Sequence, residues 1–140
     1  MPNPPKMDPA RGHRGRGVVS LPAEGRKGDP PAWPLMGSAT EPEASYWAAL
    51  WATPQAVMWE RMGAAITYEV ARYCRLAVVC EIIGARPSDH AQATALADRL
   101  GLTPKAMRLL LWQITADEVA ERRGVQSRNV RARLKAVENG

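Results

Sequence analysis

From Thr40 onward the apolar side chains recur three and four positions apart and never alternate, a pattern that predicts helices and no strands. The first helix opens at Thr40, with Glu43 three residues on in a capping-box arrangement, and carries Tyr46, Trp47, Leu50 and Trp51 on one face. Thr53-Pro54 restarts the chain with a cap and a proline at the first helical position, ahead of Val57, Met58 and Met62, and Gly63 marks a bend. The next helix, residues 65–83, is amphipathic in its first half, with Glu69, Arg72 and Arg75 along one side and Ile66, Val70 and Tyr73 on the other. Its second half, Leu76 to Cys80 and then Ile82 and Ile83, is apolar nearly all round, so every face of it needs cover. A small domain leaves most of its elements half exposed, and part of that cover is therefore expected from neighbouring subunits.

After a turn over residues 84–87, Ser88 caps a helix in which Ala93, Leu96, Ala97 and Leu100 form one apolar stripe, stopped by Gly101. Residues 65–83 and 88–100 thus form a hairpin. Thr103-Pro104 starts a further helix with Met107, Leu110, Leu111 and Ile114 inward and Lys105, Arg108 and Gln113 outward. The Glu118–Arg122 spacing carries it to Arg123, and Gly124 ends it. In the basic C-terminal helix or tail, residues 124–140, Ser127 caps a thin seam of Val130, Leu134 and Val137 set against Arg128, Arg131, Arg133 and Lys135.

The first 39 residues differ in texture. Eight of the chain's twelve prolines and five of its eleven glycines lie in residues 1–34, too little apolar surface to offset ordering entropy, so 1–39 is expected to be a disordered arm. Arginine alternates with glycine at Arg11, Arg14 and Arg16. Charge then separates the three parts: the net +5 divides into +3 over residues 1–40, −2 over 41–120 and +4 over 121–140. Basic ends on a mildly acidic middle point to an electrostatic partner, nucleic acid phosphate above all. The expectation is an all-α protein, a helical hairpin core over residues 40–123 in a ring-forming homo-oligomer with a disordered basic N-terminal arm.

Catalytic chemistry has little to work with. No phosphate loop, dinucleotide fingerprint or nucleophile elbow occurs, only two histidines are present, and the helical carboxylates stand alone or one turn from arginines. No enzyme, no cofactor and no metal site is expected. Cys74 and Cys80, six residues apart, fall about 240° apart on a helix at roughly 100° per residue, which excludes a mutual disulfide. No run approaches the roughly 18 apolar residues of a membrane span, and nothing resembles a signal peptide, so a cytosolic protein without membrane contact is expected. Leu96 to Met107 has the outline of a helix-turn-helix whose second helix would present Lys105, Arg108 and Gln113 to DNA. Leu109-Leu110-Leu111-Trp112 is very apolar for a groove-reading helix, and a structural corner is the competing reading.

Several longer strings carry a resemblance. Leu21-Pro22-Ala23-Glu24-Gly25-Arg26, Pro30-Pro31-Ala32-Trp33-Pro34-Leu35, Tyr46-Trp47-Ala48-Ala49-Leu50-Trp51-Ala52-Thr53-Pro54-Gln55-Ala56 with Trp59-Glu60-Arg61, and Leu100-Gly101-Leu102-Thr103-Pro104-Lys105-Ala106-Met107 resemble, in that order, the small terminase subunit of tailed phages infecting actinobacteria. The resemblance spans residues 21–123. It implies a DNA-packaging protein of the host cytoplasm, not a structural part of the virion, that binds double-stranded viral DNA, assembles into a ring and delivers the DNA to the large terminase subunit, whose ATPase and nuclease do the chemistry. Charge alone selects the DNA-contact candidates: Arg11, Arg14, Arg16, Arg26, Lys27, Arg122, Arg123, Arg128, Arg131, Arg133 and Lys135. Apolar patterning selects Ile66, Val70, Tyr73, Leu76, Val79, Ile83, Leu96 and Leu100 for the subunit interface. The alternative function is a dimeric helix-turn-helix transcription regulator reading an operator through residues 103–113.

Overall fold

The computed structural model describes residues 17–116. In chain order these form β1 (Val19–Pro22), α1 (Glu41–Trp51), α2 (Pro54–Met62), α3 (Ala64–Cys80), α4 (Pro87–Arg99), α5 (Pro104–Leu110) and β2 (Trp112–Thr115). The body is mainly helical, as the periodicity predicts, but the expectation of no strand is corrected: β1 and β2 pair as a parallel two-stranded sheet, Val19 opposite Trp112 and Pro22 opposite Thr115.

The helix starts follow local chemistry. The Thr40 hydroxyl accepts from the Glu43 N–H at 3.4 Å while the Glu43 carboxylate accepts from the Thr40 N–H at 2.9 Å, closing the capping box at the head of α1. Pro54 occupies the first turn of α2, but the Thr53 hydroxyl donates backward to the Leu50 carbonyl at 2.6 Å and leaves α2 without a side-chain cap. Gly63, at φ 91°, is the whole connection between α2 and α3. Pro87 opens α4 directly after Arg86, two residues ahead of the expected start behind Ser88. Its far end is a Schellman turn, in which Gly101 N–H donates to the Asp98 carbonyl at 3.2 Å and Leu102 N–H to that of Ala97 at 2.9 Å. Thr103 then caps α5 by accepting from Ala106 N–H at 3.1 Å and is itself tied to Asp98.

The expected hairpin is present, with α3 packed along α4 and backed by α1. Its boundaries shift. α3 ends at Cys80, and Ile82 and Ile83 lie on the turn that follows. The largest correction concerns the last helix. Leu111 adopts a left-handed conformation at φ 58°, α5 stops after seven residues, and the chain leaves as β2 rather than continuing to Arg123. Leu110 and Ile114, expected inside, are 39% and 44% exposed.

The arm boundary also moves. Within residues 17–39, Leu21 is fully buried and Val19, Trp33 and Leu35 pack against the core formed by Trp47, Trp51, Trp59, Val70, Cys74, Leu100 and Trp112. A few well-spaced apolar anchors, with backbone pairing to β2, order a proline-rich segment that composition assigns to solvent. Residues 1–16 and 117–140, and with them the tail expected over 124–140, lie outside the described residues.

Candidate functional site

Residues 23–39 form a strap across the helices, held by a row of four tryptophans. Trp33, Trp47, Trp51 and Trp59 meet edge to face in succession, with centroids 5.2, 5.5 and 5.6 Å apart. The row is anchored to backbone by Trp47 Nε1, which donates to the Pro31 carbonyl at 2.9 Å, and by Trp59 Nε1, which donates to that of Leu100 at 2.9 Å. Two guanidiniums stack on the row: Arg75 lies over Trp33 at its outer end and Arg26 over Trp51 within it, at 5.5 and 5.6 Å from the ring centroids. Arg75 also donates to Glu43 at 3.2 Å and to the Met36 carbonyl at 3.1 Å.

This geometry changes the standing of Arg26. Its Nε and Nη2 donate to Glu60 at 3.2 and 3.0 Å and its Nη1 donates to the carbonyls of Gly28 and Asp29, with the side chain only 14% exposed. Selected from charge as a phosphate contact, Arg26 is instead spent on fastening the strap. Lys27 beside it is exposed. Arg11, Arg14, Arg16, Arg122, Arg123, Arg128, Arg131, Arg133 and Lys135 lie outside the described residues.

The described body, residues 17–116, holds nine Lys+Arg and nine Asp+Glu, so the whole formal charge of +5 belongs to the segments on either side of it. The first 16 residues carry four basic and one acidic side chain, the last 24 six and four.

Of the residues selected for a subunit interface, Val70 and Leu100 are completely buried within the single chain. A side chain with no accessible surface has none to give a second copy, and both belong to the core. Ile66 and Tyr73 are half-buried against that core. Leu76 and Leu96 are half-buried, while Val79 is 38% and Ile83 101% exposed. The most exposed apolar side chains of this stretch, Ile82 and Ile83, thus lie on the turn just past α3, with Val79 and Tyr68 partly exposed on the helix itself. Patterning had no means of telling the stripe facing α1 and α4 from the surface left over.

The corner between α4 and α5 does not extend into a groove-reading helix. At about 1.5 Å per residue the seven residues of α5 span about 10 Å. Lys105 and Arg108 are exposed on α5, but so is Leu109 at 76%, and Gln113 lies on β2.

Two open grooves meet at the Tyr46 hydroxyl, which donates to the Glu81 carboxylate between α1 and the end of α3. That hydrogen bond to an anionic acceptor, with burial and the charge of Glu81 behind it, pushes Tyr46 up to about 12. Burial likewise pushes the Cys74 thiol up to about 12, with the Glu43 charge adding to it. A thiol so far from its thiolate is a packing group rather than a nucleophile. Among the described residues no group of His, Cys, Asp and Glu side chains is arranged to hold a metal ion, and no helix is long and apolar enough to cross a membrane. A comparison of the chain with protein-family models, curated proteins and solved structures finds no match.

Proposed function

We propose that the chain is a non-enzymatic DNA-packaging adaptor of the small terminase type, working in the host cytoplasm. It assembles through its helical body into a ring, binds double-stranded viral DNA through its charged ends and hands the DNA to the large terminase subunit. The observation that carries this reading is the segregation of charge: a neutral folded body with all of the net positive charge in the segments beside it. Contacts made by arginines spaced with glycines, or strung along a segment free of acidic residues such as 122–137, are phosphate contacts with little base discrimination. Ring symmetry multiplies them.

Duplex binding measured against salt concentration tests it. Each phosphate contact contributes about 0.9 to the slope of log affinity against log salt. Replacing Arg11, Arg14 and Arg16 by Gln, and separately Arg128, Arg131 and Arg133, is therefore expected to flatten the slope by up to about 0.9 per contact removed, equally on unrelated sequences. Slopes unchanged by both substitution sets would defeat the mechanism. A short symmetric footprint would favour the transcription regulator instead.

A further inference from the structure

The two ends of α3 carry opposite relief. At its N-terminal end Met62, Ala65, Ile66, Tyr68, Glu69 and Arg72 line an open groove of about 460 Å³, in which Met62 is 53% and Tyr68 44% exposed. Just past its C-terminal end Ile82 and Ile83 stand on the turn before Gly84, 62% and 101% exposed, with Val79 behind them. Ile83 buries none of its surface within the chain, so its apolar side chain contributes nothing to the monomer's core. The 17 residues of α3 span about 25 Å at 1.5 Å per residue. A single copy therefore cannot bring its own knob to its own groove.

We propose that the Ile82–Ile83 knob of one copy seats in the Met62–Tyr68 groove of the next, so that the occupant of the groove is a second copy of this chain, bound head to tail. Charge supports the match. The knob is flanked by exposed Glu81 and Arg86, and the groove is rimmed by Glu69 and Arg72, whose ion pair at 2.6 Å leaves the arginine 55% exposed, with Arg99 3.9 Å from the other Glu69 oxygen. One approach of the two surfaces sets Glu81 against Arg72 and Arg86 against Glu69, while the reverse sets like charges together and is disfavoured. A contact between two different patches is heterologous, and repeating it gives a closed ring or an open filament instead of a two-fold dimer. The inference rests on the reading of the chain as a ring-forming adaptor and specifies the contact that closes the ring.

A heterologous contact has a signature that a two-fold one lacks. Ile83→Asp removes the knob and keeps the groove; Tyr68→Glu spoils the groove and keeps the knob. Both positions are exposed, so tryptophan fluorescence and circular dichroism are expected to match those of the parent chain. By light scattering the parent is expected to assemble at micromolar concentration, and each variant to stay at the 15.3 kDa monomer mass. An equimolar mixture is expected to give a dimer, through the one intact knob and the one intact groove. A monomeric parent, a variant that assembles like the parent, or a mixture that stays monomeric would overturn the proposal. Salt-dependent duplex binding, measured on the same samples, separates the two readings: if it is absent while complementation succeeds, only the DNA role falls; if it persists while complementation fails, only the head-to-tail contact falls.

Discussion

Gly25 and Gly28 share a left-handed backbone, φ 77° and 97°, in opposite surroundings. A Cβ at Gly25 would stand 1.9 Å from the Ala52 carbonyl oxygen, whereas a Cβ at Gly28 would meet nothing within 4 Å. Gly28→Ala is therefore expected to cost only the left-handed strain, about 1–2 kcal/mol. Gly25→Ala adds a clash with backbone that no rotamer relieves, and is expected to cost more than about 3 kcal/mol. Urea unfolding of the two variants checks the difference, and equal midpoints would show that the strap does not press on the α1–α2 corner. At this scale the sequence displayed residue types but not their commitments. Arg26 looks like any other cation among glycines and prolines until Glu60, 34 positions away, is brought to its guanidinium.

Elements were legible where their signals are local. The Thr40–Glu43 box, the proline starts of α2 and α5 and the Gly101 stop all lie within a few residues of what they govern. Thr40→Ala is expected to lower stability by about 1 kcal/mol, through loss of the cap on Glu43 N–H. Thr53→Ala, which removes a hydroxyl that caps nothing in α2, tests by contrast whether capping is the cause. Chemical denaturation of both variants gives the comparison. What stayed hidden depends on remote partners. The segment after Leu110 has the apolar content of a helix, but Trp112 to Thr115 find their hydrogen-bonding partners in Val19 to Pro22, more than ninety residues earlier. Periodicity over a short window carries no trace of such a pairing: Val19, Leu21 and Trp33 stand out in the arm as apolar anchors able to dock it locally, but nothing near them names β2 or the tryptophan row as the place they dock.

For the whole molecule, two groups held protonated, Tyr46 by its hydrogen bond to Glu81 and Cys74 by burial, predict sensitivity to alkali. The folded chain holds the Tyr46 and Cys74 protons up to about pH 12, against ordinary values of 10.0 and 9.0. Between those values and 12 the unfolded chain binds fewer protons than the folded one, so stability falls as pH rises. Denaturation midpoints are expected to decline from about pH 9 upward, and Tyr46→Phe is expected to reduce the decline above about pH 10, leaving the share of Tyr73, whose hydroxyl burial also pushes up. The charge pattern belongs to this scale as well: the sequence alone shows basic ends on a mildly acidic middle, and counted over residues 17–116 that middle is neutral. The direction of the parallel ladder governs how the described body takes a load. The chain enters the sheet at Val19, the start of β1, and leaves it at Thr115, the end of β2, at opposite ends of the ladder. Tension drawn between the two termini therefore slides the strands past each other and strains all their hydrogen bonds together, instead of peeling them one at a time. The helices, threaded between the strands, are shielded from that force until the sheet gives way.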